Sequence, residues 1–186
     1  MTKIKLIMVD GPDGAGKTTF IRSLLQKHKA KLFTMPKSAP DGSLMKINTA
    51  KHFEIMKAFL VLLDPNYTYI FDRCYLSNLV YDENQSESMI FREWLLEKSE
   101  INLLEIILLR NHVVEDFEDD KISLSRDQFN RIIDRYELFS NYLTPPKIFN
   151  TIIWGYDDFT DMPCVTSVSQ MQFDLAHLEV ENFIDV

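Results

Sequence analysis

Residues 11–19 read "GPDGAGKTT" and satisfy G-x-x-x-x-G-K-[ST], with Gly11, Gly16, Lys17 and Thr18 at the fixed positions. The pattern restricts the fold because it works only between a strand that delivers it and a helix that follows it. Both are in place. "IKLIMV" (Ile4–Val9) is a short β-rich run that reads as a buried strand. "FIRSLLQKH" puts Phe20, Ile21, Leu24 and Leu25 on one helical face. Glycines in such a loop let backbone N–H groups turn inward around a phosphate with no side chain in the way. The helix that begins near Lys17 adds the positive end of its dipole. Gly11, Asp13, Gly14, Ala15, Gly16, Lys17, Thr18 and Thr19 are therefore the expected ATP cradle. Lys17 would neutralise charge between the β- and γ-phosphates, and Thr18 would offer its hydroxyl to Mg²⁺.

Strand and helix patterns alternate along the rest of the chain. "KLFTM" is a second strand candidate, stopped by Pro36. Ser43 is placed to cap a helix running through "LMKINTAKHFEIMKAFLVLL" to the turn signal "DPN". "YTYIF" (Tyr67–Phe71) reads as a strand, and helical patterning follows to about Lys98. "LLEIILL" (Leu103–Leu109) is the next strand. "SRDQFNRIIDRYELFSNYL" then spaces Phe129, Ile132, Ile133, Tyr136 and Phe139 at helical intervals, "FNTIIW" is a last strand, and one more helix is expected at the end. The expected fold is α/β: a P-loop NTPase fold with a parallel five-stranded sheet flanked by helices, one domain over residues 1–186. Ligands in such sheets lie beyond the carboxyl ends of the strands, where Gly11, Met35, Asp72 and Arg110 all fall.

Composition narrows the partners. With 28 acidic against 20 basic residues the formal net charge is −8, and the longest charged cluster, "EDFEDD" (Glu115–Asp120), is acidic. A grip on nucleic acid through many phosphates needs a basic face, so nucleic acid is not expected as a partner, whereas a small anionic nucleotide in a local pocket is. No stretch approaches the roughly 18 apolar residues of a membrane span. The apolar run near the N-terminus is too short for a secretion signal, and Cys74 and Cys164 fit neither a disulfide framework nor a zinc site. A reducing, cytoplasmic setting is expected.

A second informative stretch is "FDRCYLSNLVYDE", where Asp72 and Arg73 stand together at a strand end. Alone they read equally well as a helix-capping aspartate beside a surface arginine. Coupled to a phosphate loop, the Asp72 carboxylate can steer Mg²⁺ and the Arg73 guanidinium can hold an acceptor phosphate bidentately. Together the two stretches resemble the thymidylate kinase family of deoxynucleoside monophosphate kinases, whose members carry "EG-x-DGAGKTT" and a later "DRY-x-x-SN-x-x-Y". Here the second motif reads Asp72-Arg73-Cys74-Tyr75-Leu76-Ser77-Asn78-Leu79-Val80-Tyr81, and element order is similar over about residues 3 to 155.

The resemblance implies a fold of the nucleoside monophosphate kinase type and roles for single residues. Asp13 would accept a hydrogen bond from the 3′-hydroxyl of the acceptor sugar, Asn78 would face the base, and Tyr81 would crowd the 2′ position. Lys37 falls on a loop where relatives carry an arginine, and Phe53 or Phe59 is placed to stack on the base, although core packing is the alternative for both. A mobile lid would span residues 111–125, with Arg110, Lys121 and Arg126 the nearby cations able to reach ATP. Relatives are generally homodimers packed through helices flanking the sheet, and the apolar surplus of "HFEIMKAFLVLL" is compatible with that or, equally, with a fully buried helix. The chain departs from the family in three ways: Cys74 replaces a tyrosine, no arginine occurs between Arg22 and Arg73, and the lid is acidic.

The expected activity is Mg²⁺-dependent transfer of the γ-phosphate of ATP to a deoxynucleoside 5′-monophosphate, dTMP first, in nucleotide biosynthesis; Lys17, Asp72 and Arg73 carry the catalytic work. A deoxynucleoside kinase is one alternative. It needs a carboxylate base near the end of the second strand, where this chain reads Phe33-Thr34-Met35-Pro36-Lys37. A P-loop protein that binds nucleotide without catalysis is the other, suggested by the acidic lid.

Overall fold

The computed structural model describes residues 3–34, 49–81, 85–118, 123–142, 147–152, 154–156, 163–165 and 167–185. In chain order the elements are β1 (Ile4–Asp10), α1 (Lys17–Lys27), β2 (Ala30–Thr34), α2 (Thr49–Leu60), β3 (Thr68–Asp72), α3 (Tyr75–Tyr81), α4 (Gln85–Glu97), β4 (Ile101–Arg110), β5 (Phe117–Glu118), β6 (Ser123–Leu124), α5 (Arg126–Tyr142), β7 (Lys147–Ile152), β8 (Trp154–Tyr156), β9 (Pro163–Val165) and α6 (Ser167–Asp185). The main sheet runs β2-β3-β1-β4-β7, and all four pairings are parallel. This is the expected five-stranded parallel sheet flanked by helices.

β1 lies at the centre because it can be buried on both faces. Ile4, Leu6 and Met8 join one apolar cluster with residues of α2, α3, α4 and α5, while Ile7 and Val9 join the other with Phe20, Ile21 and Leu24 of α1 and Ala176 and Val180 of α6. That is the period-two alternation of a strand between two helical layers. Each large side chain so buried stabilises the fold by about 1.5–3 kcal/mol.

The helices start and stop where local chemistry directs. α5 opens on a capping box: the Gln128 N–H donates to Ser125 Oγ (3.3 Å) and the Ser125 N–H to Gln128 Oε1 (3.0 Å). The region patterned as one helix from Tyr75 to Lys98 is two, α3 and α4. The β4 strand is longer than its apolar heart, reaching from Ile101 to Arg110. The helix expected from Ser43 is described from Thr49 only; its start lies outside the described residues. Within the segment expected to form a lid, β5 and β6 form a two-residue antiparallel ladder, Phe117 opposite Leu124. No helix among the described residues is long and apolar enough to cross a membrane.

Parallel pairing puts the carboxyl ends of β1, β2, β3 and β4 on one edge. Val9 is in register with Asp72, Asp72 with Thr34, and Asp10 with Ile107. The motif residues that end these strands therefore meet in one crevice.

Candidate active site

The phosphate loop leaves β1 through Gly11, at φ +143° and pressed against β4 so closely that a Cβ would collide with the carbonyl oxygen of Leu108. Gly16 then caps α1 in the left-handed region, at φ +81°. Lys17 opens that helix with 7% of its surface exposed, and its Nζ donates to the carbonyl oxygen of Pro12 at 2.5 Å. Burial pushes its pKa down to about 7; Arg73 pushes the same way, against the charges of Asp13, Asp72 and Asp10. The lysine thus rests on a neutral carbonyl, a weak partner for a cation. Thr18 and Thr19 are exposed on the first turn of α1, and Ala15 is buried in the core.

Arg73 is held with unusual care. It is the one non-glycine residue with positive φ among the described residues (+69°), a conformation that costs energy and clusters at functional sites. Its backbone N–H donates to the carbonyl of Val9 (2.9 Å). Its guanidinium pairs with the Asp13 carboxylate, donates to the Tyr136 hydroxyl (2.9 Å) and to Ser77 Oγ (3.4 Å), and lies 5.6 Å from the centre of the Tyr81 ring. Only 14% of the side chain is exposed, so this is no surface arginine.

Behind it runs a buried polar chain. Tyr136 Oη shares a hydrogen bond with Ser77 Oγ (2.8 Å), and Ser77 donates both its hydroxyl and its N–H (3.1 Å) to the Asp10 carboxylate, which also accepts from the Cys74 N–H (3.4 Å). Asp10, at the end of β1, thus satisfies orphan N–H groups at the start of α3, as a capping side chain does. Burial pushes its carboxyl up, and the Ser77 hydrogen bond opposes that shift.

Asp13, Lys17, Arg73 and Tyr81 thus converge, and Asp72 is near enough for its charge to act on Lys17. Asn78 keeps its Nδ2 enclosed with no hydrogen-bond partner. Phe53 is buried with its ring stacked on Phe91 (4.4 Å between centres), so in this structure it belongs to the core. Phe59 is partly exposed and packs edge-on against Phe33. Lys37 and Lys121 lie outside the described residues. Arg126 is exposed and paired with its neighbour Asp127 (3.0 Å), while Arg110 leans over Gly14. The sequence reading missed the parts played by Asp10, Ser77 and Tyr136. Tyr136 shows only core spacing in the sequence, and nothing local reveals the partner of its hydroxyl. It also passed over His52, whose two ring nitrogens are both enclosed without a partner on α2.

Thr18 and Asp72 offer a hydroxyl and a carboxylate, oxygen donors of the kind Mg²⁺ takes. No cluster of three or more His, Cys, Asp or Glu able to hold a metal occurs among the described residues. A metal held by one or two protein oxygens and by phosphate fits that donor set.

No family model matches the chain, and no curated protein matches it in sequence. Solved structures do. A thymidylate kinase from Candida albicans matches over 97% of this chain and 92% of its own at 17% identity and a TM-score of 0.59. A thymidylate kinase from Ehrlichia chaffeensis matches over 98% and 99% at 14% identity and a TM-score of 0.52. The YorR protein of Bacillus subtilis, solved with phosphorylated GDP, matches over 96% and 98% at 19% identity and a TM-score of 0.51. At such identities the likeness shows the fold, which is that of P-loop kinases.

Proposed function

We propose that the chain is a nucleotide kinase that moves the γ-phosphate of ATP to a deoxynucleoside 5′-monophosphate, dTMP first. It would be a single kinase domain over residues 1–186 with its lid at 111–125. The observation that carries this reading is the Arg73–Asp13 pair: a guanidinium from a left-handed backbone position, tied to the loop that carries Lys17. One loop thereby aligns a donor-phosphate cation and an acceptor-phosphate cation, and positioning of this kind is most of what phosphoryl transfer requires. An oxygen of the acceptor phosphate forms a bond to the γ-phosphorus as the bond to the β–γ bridging oxygen breaks, and ADP departs with that electron pair. The acceptor oxygen is already anionic, so no base is needed to deprotonate it. Lys17 holds the donor phosphates, Arg73 the acceptor phosphate and Asp13 the sugar, while Thr18 and Asp72 would hold Mg²⁺, which when bound neutralises phosphate charge.

Asn78, with an unpaired amide nitrogen, is the group assigned to the base edge, and Tyr81 the wall against a 2′-hydroxyl. Phe59 and Lys37 remain assigned to the acceptor side. An amide both donates and accepts, so several bases can satisfy it. The Candida albicans relative is described as having broad substrate specificity, and a range wider than dTMP is part of the reading here. The chain is further proposed to act as a homodimer.

The experiment is an acceptor panel with ATP and Mg²⁺: dTMP, dUMP, dGMP, dAMP, dCMP, UMP and thymidine. Deoxynucleoside monophosphates should turn over faster than UMP by about ten- to a hundredfold, because the ribose 2′-hydroxyl meets Tyr81. Faster turnover of thymidine than of dTMP would make the enzyme a nucleoside kinase, and ATP binding with no transfer would make it a binding protein.

A further inference from the structure

Arg110 ends β4 where the β4–β7 register shifts, between Leu109 and Arg110. Its guanidinium occupies the space that a side chain at residue 14 would fill: a Cβ built on Gly14 would collide with Nη1. Gly14 therefore does two things at once. It takes φ +70°, which side chains rarely adopt, and it leaves a passage from the sheet to the phosphate loop. Phe129 of α5 lies on the other side, its ring centre 5.6 Å from the guanidinium carbon.

No carboxylate partner among the described residues accounts for this arginine. Arg73, Arg92 and Arg126 each pair with a carboxylate, whereas Arg110 pairs with none among the described residues, and its Nε is enclosed without an acceptor. A half-buried guanidinium lacking an anion destabilises the fold, and replacing it with an apolar group relieves the penalty. Burial already pushes its pKa down. In a chain of net charge −8 carboxylates are plentiful, so a cation with no carboxylate partner among the described residues, beside a phosphate loop, is matched to an anion from outside.

We propose that Arg110 is a donor-phosphate residue, which reaches through the gap at Gly14 to the terminal phosphate oxygens of the bound triphosphate. The inference rests on reading residues 11–19 as a phosphate cradle. Arg126 is tied to Asp127 and the lid carries the acidic run Glu115–Asp120 and no arginine, so the sheet supplies the guanidinium that the lid lacks. A guanidinium fixed by a strand end and an aromatic ring needs no lid closure to be in place. It also stabilises charge that grows on the bridging oxygen as the phosphoryl group leaves.

The test measures binding of inorganic tripolyphosphate to the full chain by calorimetry, alongside thermal melting without ligand. Arg110→Ala should bind about ten- to a hundredfold more weakly than the unaltered chain. Its melting temperature should be unchanged or higher, since an unpaired cation has been removed. Arg110→Lys, which keeps the charge but loses the fork, should recover part of the binding. Unaltered binding by Arg110→Ala, in a series where Lys17→Ala loses it, would overturn the proposal and leave the cradle standing. A fall in melting temperature matching the loss of binding would overturn it too, by making Arg110 structural. If the unaltered chain failed to bind tripolyphosphate, the cradle reading itself would fall and this inference with it.

Discussion

Tyr136 sets the position of Arg73 although it is fully buried and sixty-three residues away in the chain. Its hydroxyl joins the guanidinium to Ser77 and through it to Asp10, so Arg73 is braced on β1 as well as on Asp13. Tyr136→Phe keeps the ring, and with it the packing, but removes a hydrogen bond to a charged group, an interaction of about 1.5–3 kcal/mol. The expected result is a roughly tenfold rise in KM for the nucleoside monophosphate, KM for ATP unchanged, and a melting temperature close to that of the parent. Steady-state kinetics with each substrate varied in turn checks it; a rise confined to ATP would place Tyr136 on the donor side. The sequence showed this residue's core spacing but not its role, because the partner of a hydroxyl is set by tertiary contact. The placement of the glycines and Lys17 between β1 and α1 was legible for the opposite reason: it follows from spacing within one short loop.

At the scale of elements, the strands could be read because a parallel sheet covered on both faces demands near-continuous apolar runs. "IKLIMV" and "LLEIILL" are such runs. The division between α3 and α4 and the short β5–β6 ladder were not legible, since both depend on where the chain turns rather than on apolar period. The closing helix α6 was expected, and the structure shows what holds it. Its inner face packs Phe173 edge-on against Phe20 of α1, and His177 shares a hydrogen bond with Ser23 (2.8 Å). Lys27 of α1 and His28, which caps its C-terminus, face His177, and Asp174 and Glu181 flank it on its own helix. Burial lowers the pKa of His177 from 6.5; Lys27 and His28 act with it, Asp174 and Glu181 against. A lowered histidine pKa means that the unfolded chain binds the proton more readily than the folded one. The α6 contribution is therefore complete above about pH 6.5 and is lost as pH falls through that value toward the folded pKa. Urea midpoints should drop between about pH 7.5 and about pH 5.5, and His177→Gln should flatten part of that slope. His52, whose pKa burial also lowers, supplies a remainder of the same sign. An unaltered slope in His177→Gln would show that α6 docking is indifferent to this proton.

For the whole molecule, the surface raises the question of self-association. On α2 and the turn after it, Ile55 is 71% exposed and Leu62 81%, with Phe59 partly exposed between them. A spacing of four puts Ile55 and Phe59 on one face of α2, and Leu62 follows in the turn that leaves the helix. Single exposed apolar residues are ordinary, but a row of them on a helix whose other face is already buried through Phe53, Met56 and Leu60 is not. The surplus of apolar residues was visible in "HFEIMKAFLVLL"; which of them face outward required the fold. On α4, which packs on α2 through the Phe53–Phe91 stack, Ile90 and Leu96 are exposed as well. A standard interface takes about 800 Å² from each partner, more than one helix alone supplies, so α2 and α4 would have to contribute together. Against this stands the net charge of −8, which makes two copies repel. The balance predicts a dimer whose affinity rises with salt, because screening weakens the repulsion and leaves apolar burial intact. Light scattering at micromolar concentration should give twice the 21.8 kDa chain mass. The double variant Ile55→Glu, Leu62→Glu should be monomeric and keep its melting profile, since both side chains lie outside the core. A monomer at all salt concentrations, or a dimer indifferent to both substitutions, would remove α2 as the interface.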